Sequence, residues 1–205
     1  HPGEMKRLLC ITVSAMAENC YLVWDDASKE ALVFDPGDGA EEISAAIEKA
    51  GLKPAGILLT HAHFDHIGGI PGLVSRYGLP VWCPPEDLPL YSSPMNCMMP
   101  WHGAVKGLPA PTDAPLPSFG FQVLKTPGHT PGGRCYYFPE EGFVLTGDTL
   151  FAGSVGRTDF PGGSETDLRK SILDILFTLP PKTVAYPGHG PRTTIAIEKM
   201  DPFFS

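Results

Sequence analysis

The seven residues from Thr60 to His66, Thr-His-Ala-His-Phe-Asp-His, place three imidazoles and a carboxylate in a span that no ordinary core segment would carry. Imidazole nitrogen and carboxylate oxygen ligate zinc, iron and manganese alike, and no thiolate lies nearby to suggest a closed structural zinc site. The chemistry these residues suit is that of an open, catalytic metal site. The segment follows an apolar run, Ala55-Gly56-Ile57-Leu58-Leu59, and precedes Ile67-Gly68-Gly69, so it reads as a strand end turning into a helix. His61 and His63, two apart, point the same way from extended backbone. Asp65 and His66 are then expected near the start of the next helix.

Three later segments repeat that context of strand, sharp turn and metal-competent side chain. Residues 123–126 lead to Pro127-Gly128-His129, residues 143–146 to Gly147-Asp148, and residues 183–186 to Pro187-Gly188-His189. A glycine beside each side chain lets backbone pass close to a crowded site. Any one Pro-Gly-His is better explained as an isolated turn. Taken together, four such turns hold five of the seven histidines, and that concentration points to one metal site if the strand ends converge on a rim.

The elements that must position these residues are short. Residues 6–13, 20–24 and 30–35 read as an antiparallel meander closed by the turn Asp35-Pro36-Gly37. Ile43, Ala46, Ile47 and Ala50 recur at helical spacing over 40–50, with Glu41 and Glu42 in the first turn and Gly51 as a stop. A strand over 55–60, a helix over 67–77 ending at Gly78 and a strand over 80–83 follow. Nine prolines then interrupt residues 84–118, where one helical turn near Glu86 is the only regular element expected. Met95, Cys97, Met98, Met99, Trp101 and His102 in that stretch either cover a pocket or pack on themselves; His102 alone reads as a surface residue rather than a ligand. The second half predicts strands at 119–126, 133–138, 142–147 and 182–186, a helix over 165–177 capped by Ser164, and a short last helix over 194–199. Strands in runs with helices interposed predict a two-layered sheet core with helices outside.

Composition sets further bounds. At 205 residues, 42% hydrophobic and 19% charged, the chain has the size and balance of one globular domain. A formal charge of −8 and the absence of any basic run argue against a nucleic-acid partner. Five cysteines, at positions 10, 20, 83, 97 and 135, form no disulfide framework or zinc ribbon, and Cys20 or Cys97 has no histidine at motif-like spacing to make it a nucleophile. No apolar run approaches membrane-spanning length, so no membrane partner and a cytoplasmic location are expected. His1-Pro2-Gly3-Glu4 precedes Met5 and reads as an appended remnant.

The His-x-His-x-Asp-His pattern of residues 61–66, followed by His, Asp and His on later strand ends, resembles the metallo-β-lactamase fold superfamily over nearly the whole chain. The resemblance implies an αβ/βα sandwich of two mixed sheets flanked by helices, with two divalent metal ions, zinc, iron or manganese, at one edge. By match to the family pattern, His61, His63 and His129 would hold the first ion and Asp65, His66 and His189 the second, with Asp148 bridging. Asp65 and Asp148 are the implied catalytic carboxylates, Asp65 also accepting a proton after attack. The segment from Thr146 through Gly156-Arg157-Thr158-Asp159 to Gly163, with Asn19-Cys20-Tyr21, resembles the branch shared by glyoxalase II and persulfide dioxygenases. With only 16 residues after His189, the likeness is to short bacterial glyoxalase II-like hydrolases without the helical glutathione domain.

The implied reaction is hydrolysis of a small-molecule thioester such as S-D-lactoylglutathione. Two metals about 3.5–4 Å apart lower the pKa of a shared water toward neutrality, and a thiolate of pKa about 8.5 leaves without much help. Arg157 is the first candidate cation for a substrate carboxylate, and equally a structural residue tied to Asp159. The alternative is a glutathione persulfide dioxygenase with one iron held by His61, His129 and Asp148. Nuclease action would want a basic track, and β-lactam cleavage an export signal; neither is expected.

Overall fold

The computed structural model describes residues 5–204; the tetrapeptide read as a remnant lies outside them. The chain divides into two compact units, the first ending at Leu116 and the second beginning at Pro117. Each is built on a five-stranded mixed sheet.

In the first unit, β1 (Lys6–Val13), β2 (Glu18–Asp25) and β3 (Glu30–Phe34) form the expected antiparallel meander. β2 lies inside the sheet, between β1 and β3, and is almost wholly buried, which is why Cys20 to Trp24 reads as an apolar run. From β3 the chain crosses over through α1 (Ala40–Lys49) to β4 (Lys53–Leu58), and β3 and β4 pair in parallel. Helix α1 buries Ile43 and Ile47 against Leu22, Val33 and Ile57, carries Glu41 and Glu42 in its first turn, and stops before Gly51 at φ 65°.

Strand β4 ends two residues earlier than predicted, and helix α2 (Ile70–Tyr77) begins three residues later. Phe64–His66 form a separate 3₁₀ turn between them, so Asp65 and His66 precede the helix and are not part of it. The cause is close packing. A Cβ on Gly68 would collide with the Gly37 carbonyl, and Gly69 donates its N–H to Pro36 O at 2.7 Å. Helix α2 closes at Gly78 as expected and buries Ile70 and Leu73. After β5 (Val81–Trp82), parallel to β4, a 3₁₀ turn at Pro85–Asp87 runs into α3 (Leu88–Tyr91), the helical turn expected near Glu86. Beyond it the excursion holds a single bridge, Met98 to His102, among the described residues.

The second unit has sheet order β12-β11-β8-β7-β6. β6 (Gln122–Lys125), β7 (Arg134–Phe138) and β8 (Phe143–Gly147) are antiparallel neighbours. Two-residue strands β9 (Leu150–Phe151) and β10 (Ser154–Val155) make a small hairpin that no periodicity could have signalled. Helix α4 (Glu165–Asp174) is the crossover to β11 (Val184–Pro187), which pairs in parallel with β8. The Ser164 hydroxyl accepts from Asp167 N, as predicted, and α4 buries Leu168 and Ile172. The predicted last turn tightens into a 3₁₀ helix at Leu176–Thr178, keeping Leu176 and Phe177 in the core. β12 (Thr193–Thr194) and α5 (Ile195–Lys199) follow, and a 3₁₀ turn at Pro202–Phe204 ends the described residues.

Candidate metal centre

In the first unit the parallel β3–β4 pair brings two strand ends side by side, Asp35 N donating to Leu58 O at 3.1 Å. Asp35, in left-handed backbone at φ 52°, faces Thr60. Its Oδ1 accepts from Thr60 N at 2.7 Å, and its Oδ2 accepts the Thr60 hydroxyl proton. With that proton directed at the carboxylate, the Thr60 oxygen is left to accept from His61 Nδ1, 3.0 Å away. Asp35 Oδ2 also accepts from His66 Nδ1 at 2.9 Å. A single carboxylate thereby settles the tautomer of two imidazoles, leaving the Nε2 lone pair of each available.

Glu18, fully buried on β2, adds a second carboxylate: Oε2 lies 3.3 Å from His66 Nδ1, and Oε1 accepts from Gly37 N at 3.1 Å. On its other side His66 Nε2 is 3.6 Å from Asp65 Oδ2. The rings of His61 and His63 stand 5.1 Å apart, those of His61 and His66 4.1 Å. The ligand atoms of Asp35, His61 and His66 also fall within 4.8 Å of one another. Asp35 already accepts three hydrogen bonds, so its place is behind the histidines and not among the ligands.

Two buried side chains from the proline-rich excursion hold the same segment from outside. Asp87 Oδ2 accepts from Ala62 N at 3.1 Å. Asn96 accepts from Phe64 N at 2.9 Å through Oδ1 and donates to Ala62 O at 2.7 Å through Nδ2. The Phe64 ring packs 4.7 Å from His102, whose Nδ1 donates to Gly103 O. His102 belongs to none of the groups of neighbouring ligand atoms found among the described residues.

In the second unit another parallel pair, β8 and β11, does the delivery. Gly188 N donates to Gly147 O at 2.8 Å, setting His189 beside Asp148. Asp148 Oδ2 lies 3.6 Å from His189 Nε2 and 3.4 Å from His129 Nε2. His129 donates from Nδ1 to Arg157 O at 2.7 Å, so it too presents Nε2. Gly128, at φ 145°, packs directly on Leu168, and a Cβ on Gly156 would collide with Asp148 O. The Arg157 guanidinium is engaged with its own loop, bonding Asp159 at 2.7 and 2.6 Å and lying 4.2 Å over the Phe160 ring. Its hydrogen bond holds the Asp159 carboxyl down to about 2.

The donor chemistry in each unit fits a divalent cation: imidazoles with Nδ1 engaged and Nε2 presented, carboxylates beside them, and no cysteine among them. Cys20 is fully buried, and its thiol is pushed well up, first by that burial and then by Glu18 and Asp35, so it is no nucleophile near neutral pH. Glu18, Asp35, Asp87 and Asn96 were not singled out from sequence as parts of the site. The sole available signal was Asp35-Pro36-Gly37, which reads as turn punctuation.

The profile of the metallo-beta-lactamase superfamily matches residues 13–189, a span that includes every residue just described. The chain belongs to that superfamily. It has the αβ/βα sandwich fold of the family, with two mixed sheets flanked by helices, and the metallo-hydrolase class that goes with membership. Hydroxyacylglutathione hydrolase GloC of Haemophilus influenzae is 38% identical over 211 residues, covering 95% of this chain and 96% of that protein. Among solved structures, TTHA1623 in a di-iron-bound form is 43% identical with a TM-score of 0.85, over 95% of this chain and 99% of its own. BLEG-1, a B3 metallo-beta-lactamase, is 33% identical with a TM-score of 0.78, over 97% and 100%. No helix among the described residues is long and apolar enough to cross a membrane.

Proposed function

We propose that this superfamily member hydrolyses a small thioester of the S-D-lactoylglutathione kind. His61, His63 and His129 would hold one divalent ion, Asp65, His66 and His189 a second, and Asp148 would bridge. The observation that carries the proposal is the shared disposition of His61, His66 and His129, each with Nδ1 engaged by Thr60, Asp35 or Arg157 and Nε2 presented. The likeness to GloC supports the thioester as substrate.

Bound there, such ions supply a lowered pKa for water and polarisation of the substrate carbonyl. The chain's own part is to orient and to move protons. Asp35 and Glu18 fix the His66 ring, and Asp65, whose Oδ2 lies beside that ring, would take a proton after attack on the acyl carbon. The leaving thiol, with a pKa of about 8.5, departs as thiolate, so no general acid is required. Arg157 remains our candidate for a substrate carboxylate, in exchange for its bond to Asp159. The acidic chain, with no disulfide among its described residues, supports a cytoplasmic location and no nucleic-acid partner.

The test is turnover of S-D-lactoylglutathione by metal-loaded protein. Hydrolysis that falls by about 10²-fold or more in Asp148→Ala is expected. Full metal loading without cleavage would overturn the proposal. One iron per chain with oxygen uptake on glutathione persulfide would replace it with the dioxygenase, and β-lactam turnover with the chemistry named for BLEG-1.

A further inference from the structure

The excursion from Leu88 to Pro111 folds around a cavity of about 890 Å³, within the roughly 300–1,000 Å³ typical of small-molecule sites. Its walls are apolar: Leu88, Tyr91, Met99, Val105 and Leu108, with Ile67 contributed by the chain just after His66. Leu88 and Met99 are also exposed, as are the neighbouring Met95 and Trp101, so the rim is apolar too.

The polar side chains around the cavity are already committed. Tyr91 donates to Pro109 O at 2.7 Å, Ser92 to Leu88 O, and Ser93 accepts from Met95 N. Asn96 has both ends of its amide on Ala62 and Phe64. Lys106 differs: it lines the cavity, is exposed, and makes no hydrogen bond or ion pair among the described residues. A ligand with several hydrogen-bonding groups would find few partners among these side chains. An apolar chain ending in one negative charge would find both of its requirements met.

We infer that this cavity binds an amphipathic monoanion, an unbranched acyl or alkyl chain bearing a single carboxylate, with the chain against Leu88, Met99 and Leu108 and the carboxylate at Lys106. The methionine and proline walls adapt to a flexible chain. Binding here requires no turnover and stands apart from the proposed thioester hydrolysis. Because Asn96 is at once a wall of the cavity and a clamp on the metal motif, an occupant touches the support of that motif.

Decanoate, kept below its micelle concentration, is titrated by calorimetry into metal-loaded full-length protein, with decan-1-ol as the neutral probe. One saturable site for decanoate is expected. Lys106→Met should weaken decanoate about three- to fivefold, the scale of an exposed ion pair, and leave decanol unchanged. Leu108→Trp, which fills the cavity, should remove both; if that variant loses its metal, Ala104→Leu takes its place as a smaller obstruction. Absence of saturable binding, an unaltered decanoate affinity in Lys106→Met, or binding that survives the obstruction would each overturn the inference. Thioester hydrolysis is assayed separately, so either idea can fail alone.

Discussion

Asp35 and His66, 31 residues apart in sequence, are joined by a 2.9 Å hydrogen bond from the imidazole Nδ1 to the carboxylate oxygen that also receives the Thr60 hydroxyl. Two imidazoles are thus oriented by one acid that lies behind them. Asp35→Asn is the sharpest probe, because asparagine keeps the shape and tolerates the left-handed backbone of this position. It should lower metal affinity about 10- to 100-fold, read by competition with a chelator, while circular dichroism stays native. Undiminished affinity would show that the carboxylate charge is irrelevant to the histidines.

Asn96→Ala strips the Phe64 N–H and the Ala62 carbonyl of their partner in a buried setting. Leaving such groups unsatisfied costs about 1–3 kcal/mol, so urea midpoints should fall accordingly. Amide exchange at Phe64 should accelerate more than exchange in β2. A uniform acceleration would mean that the clamp is not local.

Gly156→Ala drives a methyl group into the Asp148 carbonyl and to 3.3 Å from the His129 Cβ. Overpacking of this kind costs about 1–3 kcal/mol, and the loop must shift at the residues presenting His129 and Asp148. Lower thermal stability together with reduced metal stoichiometry is expected. Gly153→Ala is the control: open space surrounds it, and its φ of 74° adds only local strain of about 1–2 kcal/mol, so metal uptake should be unchanged.

The Asp159 carboxyl, held to about 2 by the Arg157 guanidinium, gives a pH signature. Its folded value lies below the unfolded one of about 3.9, so the pair's contribution is complete above that pH and is lost as the pH falls through about 2. The pair is exposed, and its effect on stability is correspondingly small. Carboxyl NMR titration should find the low midpoint, and Arg157→Ala should return it toward ordinary values. A midpoint indifferent to Arg157 would place the guanidinium elsewhere in solution.

The family and the strand-helix order were legible in sequence because His-x-His-x-Asp-His and the later strand-end turns are local patterns, as is the Ser164 cap. The supports were not legible. Asp87 and Asn96 reach the motif across 25 to 34 residues of chain, through backbone hydrogen bonds that leave no periodic trace. Glu18 sits at the start of a strand that reads as an apolar run from Cys20 to Trp24, and Asp35 looks like turn chemistry until β4 is laid beside β3. The late start of α2 was hidden for a related reason, since Gly68 and Gly69 serve the approach of Gly37 and Pro36, a contact that only the folded chain makes.

The network behind His61 and His66 closes with residues 18 to 96 alone, all within the first compact unit. During synthesis, then, the hydrogen bonds that orient these histidines can form while Pro117 and everything after it is still to be translated. Under the proposed assignment, the order of synthesis would give the early histidines first claim on an incoming ion, before His129, Asp148 and His189 have been made.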